Sequence, residues 1–108
     1  MMNKDYNHLI NSKDWKDRYN LAENGIALDQ LVHDSSWFVR AAVVRQKYAL
    51  DVLVKDESWR VRLEVAKQNY GLETLINDEN ETVREEAKLR LETRDVLCNL
   101  ISGGYVEL

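Results

Sequence analysis

At 108 residues with 44% hydrophobic content, the chain has the length of one domain and the apolar material for a modest core. Nineteen acidic against fifteen basic side chains give a net charge of −4, which disfavours non-specific attraction to phosphate backbones or anionic lipid. A single cysteine, Cys98, excludes an intrachain disulfide framework and a cysteine-based metal cluster, and without an apolar run fit for a membrane span or signal peptide we expect a cytoplasmic protein.

Slid against itself by 22 residues, the chain matches without gaps in units 9–30, 31–52, 53–74 and 75–96, leaving a cap at 97–108. Leu9, Leu31, Leu53 and Leu75 open the units, and Leu97 begins a truncated fifth. The tenth position is always arginine: Arg18, Arg40, Arg62 and Arg84. The seventh is Trp15, Trp37 and Trp59, then Glu81. We therefore expect one domain spanning residues 1–108.

Ahead of the first unit, the segment holding His8 is expected to fray. Asn24 and Gly25 then mark a turn; no GxxxxGK[ST] surrounds them, so they make no phosphate loop. In the second and third units, Ser36 and Ser58 precede Val39, Val43 and Val44, or Val61, Val65 and Ala66, at helical spacing. A polar cap there supplies an acceptor for the first free amides and predicts helices that begin at Trp37 and Trp59 and last about three turns. Leu50, Leu53 and Val54, like Leu72, Leu75 and Ile76, predict a second helix, short enough to be a 3₁₀ turn. In the fourth unit Asn80 is the cap and the aromatic turn is missing, so the two helices are expected to run together from about Glu81 to Ile101 until Ser-Gly-Gly stops them.

A helix–turn–helix unit of this size cannot bury its apolar faces alone, whereas stacking in a row buries them between neighbours. The expected fold is all-α: a short right-handed α-solenoid of about four 22-residue repeats. Asp17 at one end, and Glu81, Lys88 and Arg94 at the other, replace residues that are apolar in the middle units, as end caps should.

The motif DSSWFVRAAV, repeated as DESWRVRLEV and followed by QNYGLETL and a new L-x-x-D, resembles the leucine-rich-repeat-variant proteins of bacteria and the wider HEAT-like group. The resemblance covers residues 9–101, with a unit shorter than the ~40–47 residues of HEAT repeats and without their prolines. It implies an α-solenoid that binds other macromolecules, of bacterial or phage type. A minority of HEAT-like proteins act on DNA as glycosylases or on pigments as lyases.

Two sets of residues hold candidate roles. Asp34, Asp56 and Asp78 precede Arg40, Arg62 and Arg84 by six residues, which places each carboxylate in the turn where that arginine's fork can bind it and the backbone. The resemblance implies that such pairs tie neighbouring units together; the competing function is a cationic track. Trp15, Trp37 and Trp59 form a spaced row that either seals the core edge or offers interface anchors. Beside them the eighth position varies as Lys16, Phe38, Arg60 and Thr82, so Phe38 and Arg60 join the candidate partner-binding residues. Tyr48 and Tyr70 are expected to wedge into the turns in the same way.

Arg45, Lys47, Lys67, Lys88 and Arg90 stand near Glu64, Glu85, Glu86, Asp51, Glu73 and Asp95, which predicts a salt-bridged surface over a nucleic-acid footprint. His33 beside Asp34 has no nucleophile held near it in sequence. We expect no enzyme, no metal and no cofactor, and a monomer or weak homodimer that binds a protein partner, not nucleic acid or membrane. The GGYVEL tail is apolar enough to dock on a partner or on the last unit. The alternative function is a HEAT-like nucleic-acid-binding protein related to alkylpurine DNA glycosylases, in which aromatics and an acidic residue hold an exposed base.

Overall fold

Polar residues with a free side-chain acceptor stand immediately before the predicted helices, and the computed structural model, which describes residues 6–102, begins its helices there. Asp14 accepts the Lys16 amide at 3.0 Å, Ser58 the Arg60 amide at 3.2 Å, and Asn80 the Val83 amide at 3.1 Å; Ser36, expected to cap in the same way, stands at the cap position but makes no side-chain cap bond. The described residues are all-helical: α1 (Asn7–Ile10), α2 (Trp15–Glu23), α3 (Leu28–Leu31), α4 (Trp37–Arg45), α5 (Leu50–Leu53), α6 (Trp59–Lys67), α7 (Leu72–Leu75) and α8 (Glu81–Ser102). His8 lies in α1. The GGYVEL tail lies outside the described residues.

Each of α2, α4 and α6 ends in the same way. Gly25, Lys47 and Asn69 adopt positive φ (72°, 59° and 61°), and their amides return to Ala22, Val44 and Ala66. The next amides, of Ile26, Tyr48 and Tyr70, return to Leu21, Val43 and Val65, completing three Schellman motifs. One residue on, Ala27, Ala49 and Gly71 are again left-handed and start the four-residue helices. Glycine is the favoured residue at 71: a Cβ there would lie 2.8 Å from Val54 Cγ2. In the fourth unit the corresponding residues are Leu91 and Thr93, for which a positive φ is costly, so α8 runs on unbroken.

Packing proceeds between neighbours: α2 against α4, α4 against α6 and α6 against α8, with α3, α5 and α7 each touching the longer helices before and after it. The core lies in these seams, where Leu31, Val43, Leu53, Val65, Leu75 and Val83 are exposed by 2% or less. Helix α4, with long helices on both sides, buries every residue from Val39 to Val44. Helices α2 and α8 bury one stripe each. Asp17 is half-buried and accepts the Ser12 hydroxyl at 2.7 Å, while Glu81, Lys88 and Arg94 are exposed.

Candidate functional site

The first candidate set is built where the turns meet the helices. Arg18, Arg40 and Arg62 sit at the fourth residue of α2, α4 and α6. Each closes a two-pronged fork on an aspartate sixteen residues ahead: Arg18 on Asp34 (2.6 and 3.2 Å), Arg40 on Asp56 (2.7 and 3.0 Å) and Arg62 on Asp78 (2.8 and 3.0 Å). The expected pairing with the aspartate six residues behind is thereby corrected. That aspartate contributes only its backbone carbonyl, which accepts from Arg40 at Asp34 and from Arg62 at Asp56, both at 2.7 Å. The physical reason is the turn: each carboxylate also accepts the amide two residues on, at Ser36, Ser58 or Asn80, and so is aimed back at the preceding helix.

Arg84 keeps the backbone half of the motif, donating to the carbonyls of Asp78 and Glu79, but the residue sixteen ahead of it is Leu100. Among the described residues it has no carboxylate partner. The hydrogen bonds to Asp56 and Asp78 raise Arg40 and Arg62 above the ordinary arginine pKa against the opposing effect of burial. Burial pushes Asp78 up, but the Arg62 bond, the Asn80 amide and the charges of Arg62 and Arg84 outweigh it and hold Asp78 below the usual carboxylate value.

Several surface cations are occupied too. Arg45 bonds Glu23 and the Tyr19 hydroxyl, both at 3.1 Å, and faces Glu64 at 3.5 Å. Arg90 bonds Glu86, Arg94 bonds Glu73, and Lys47 donates to Gln68 at 3.0 Å. Lys88 is exposed. Carboxylates beside Arg45, Arg90 and Arg94 offset their charge.

The second set forms one continuous edge. Trp15, Trp37 and Trp59 begin α2, α4 and α6, and their half-buried side chains pack against the core. Between them lie the eighth-position residues. Phe38 stacks on Trp15 (4.7 Å between centroids, 15° between planes) and on Trp37 (4.0 Å, 20°). The Arg60 guanidinium then lies over Trp37 at 5.0 Å and Trp59 at 4.7 Å. Tyr19 closes the far end, edge-on to Trp15 at 5.8 Å. The result is a single row, Trp15, Phe38, Trp37, Arg60 and Trp59, whose indoles seal the core while Phe38, 43% exposed, and the exposed Arg60 reach solvent.

Tyr48 and Tyr70 are the residues expected to wedge into the turns. They stand at the Schellman turns and remain 39% and 38% exposed. Sequence reading also passed over an apolar stripe on α8, where Leu89, Val96, Leu97 and Leu100 are 40–60% exposed. Their spacing of seven, one and three residues puts them on one helical face. His33 is exposed at its turn, and among the described residues no group of three His, Cys, Asp or Glu side chains is placed to hold a metal. No described helix is long and apolar enough to cross a membrane. Compared with protein-family models, curated proteins and solved structures, the chain has no significant match.

Proposed function

We propose that the chain is a short right-handed α-solenoid of HEAT-like type that works as a non-enzymatic protein-binding scaffold, adaptor or small inhibitor. Its working face is the row Trp15, Phe38, Trp37, Arg60 and Trp59. The observation that carries this reading is the exposure of Phe38 and Arg60 on top of a packed indole layer. Large side chains already held in place lose little conformational freedom on binding, which favours them as anchors. The occupied arginine forks support assigning them to the scaffold and recognition to the edge.

The nucleic-acid alternative asks for open aromatic faces between which a base can insert. Here the faces of Trp15 and Trp37 already meet Phe38, and Trp37 and Trp59 meet Arg60, which favours a protein partner.

Phe38→Ala separates the two. A protein partner recovered from an extract of the source cells should bind the variant about tenfold more weakly or worse, a loss of about 1.4 kcal/mol. The thermal stability should fall by only about 1 kcal/mol, since Phe38 is part-exposed and its rings contribute as surface stacks. Random-sequence DNA or RNA should not bind appreciably at about 0.15 M salt. Undiminished partner binding, or micromolar nucleic-acid binding abolished by Arg45→Ala with Lys67→Ala in a folded chain, would reverse the assignment.

A further inference from the structure

The sequence contains eight arginines, and all lie among the described residues. Seven are committed. Arg18, Arg40 and Arg62 hold aspartates; Arg45, Arg90 and Arg94 hold glutamates; Arg84 holds two backbone carbonyls. Arg60 alone makes no side-chain hydrogen bond and no ion pair among the described residues, although its chain carries nineteen acidic side chains. The carboxylates nearest to it along the chain are turned elsewhere: Glu57 lies 3.9 Å from Arg40, and Glu64 lies 3.5 Å from Arg45 and 3.9 Å from Lys67.

The guanidinium is not loose, however. It lies over two indoles, Trp37 at 5.0 Å and Trp59 at 4.7 Å, and among the described residues its N–H donors have no acceptor. A positively charged fork that is exposed, unneutralised and held over two indoles suits a planar anion that accepts two hydrogen bonds. Phe38, which also stacks on Trp37, adds an exposed apolar surface near it.

We propose that Arg60 receives a carboxylate side chain of a partner protein, within a segment in which an aspartate or glutamate stands beside a large apolar residue that covers Phe38. This rests on the edge being the binding face. A phosphate polyanion fits less well. A net charge of −4 disfavours a chain of phosphates more than it does a single carboxylate.

The test uses the full chain. Short peptides are selected from a random displayed library at about 0.15 M salt, then titrated by following the fluorescence of the three tryptophans. The selected peptides should be rich in Asp or Glu next to Phe, Trp or Leu. Changing the acid to its amide in the peptide, or Arg60→Gln in the protein, should each weaken binding about tenfold, and combining them should add little further. Arg60→Lys should not restore it, because an ammonium lacks the planar fork.

Peptides that need Phe38 but bind Arg60→Gln as well as wild type would overturn the carboxylate site and leave the edge standing. Binding indifferent to both Phe38→Ala and Arg60→Gln, or no selected peptide at all, would overturn both. Tighter binding of a random single-stranded oligonucleotide, lost in Arg60→Gln, would give the fork to phosphate and overturn the proposal.

Discussion

Deleting residues 75–108 is expected to leave a chain that aggregates or melts without cooperativity. The deletion strips Leu75, Val83 and Ala87, none more than 1% exposed, from α6 and α7 and opens a face that includes Val61, Val65 and Leu72. At about 25 cal/mol per Å², uncovering roughly 300 Å² of apolar surface costs about 7 kcal/mol, comparable to the whole stability of a small domain. The same cut removes Asp78 and leaves Arg62, only 8% exposed, without its carboxylate. Gel filtration and a thermal melt followed by circular dichroism read the outcome. A truncated chain that is monomeric and melts in one sharp transition would mean that packing between neighbouring helices does not carry the stability.

Breaking one buried pair is the second large effect. Asp78→Ala is expected to cost about 3 kcal/mol at neutral pH, because the buried Arg62 loses its two-pronged carboxylate partner and keeps only the Asp56 carbonyl and Glu79 at 3.9 Å. The pH dependence has a definite sign. Asp78 titrates below the usual carboxylate value in the folded chain, so its contribution is present above the unfolded pKa of about 4 and is lost as the pH falls through the folded one. Denaturant unfolding of wild type and variant at a series of pH values should therefore show two curves that are far apart at pH 7 and converge below about pH 4. A gap of under about 1 kcal/mol at pH 7, or one that widens in acid, would remove Asp78 from the scaffold.

The sequence announced where helices start better than where they stop. Ser36, Ser58 and Asn80 mark the cap positions, and helices begin directly after them at Trp37, Trp59 and Glu81, although the Ser36 side chain bonds no amide of its helix. The end of α4 carried no such mark. Lys47 takes the left-handed place that Gly25 and Asn69 occupy elsewhere, held there by backbone bonds of the turn that composition does not reveal. The loss of the last turn was legible because it shows as a missing motif, and the expected helix to about Ile101 ends at Ser102.

The candidate site was legible in residue type and less so in partnership. At a spacing of 22 residues, an aspartate six residues before one arginine is also sixteen after the previous one, so the chain offers two partners for each carboxylate. Only the direction of the turn decides between them, and the Ser36, Ser58 and Asn80 amides set that direction. The tryptophan row was visible as a repeat. Its interleaving with Phe38 and Arg60 was not, because adjacent residues on a helix do not ordinarily face each other, and the contacts that complete the row come from the neighbouring helix.

We propose that arginines two residues apart on α6 do different work: Arg62 holds the scaffold and Arg60 faces the partner. The thermal midpoints of Arg60→Gln and Arg62→Gln, the same chemical change on the same helix, test it most directly. Arg62→Gln should lower the midpoint by at least about 12 °C, as expected for a broken buried pair in a chain of this size. Arg60→Gln should lower it by no more than about 4–8 °C, the effect of losing surface cation–π contacts worth about 1 kcal/mol. Equal shifts, or a larger one at Arg60, would contradict the division of labour between the two.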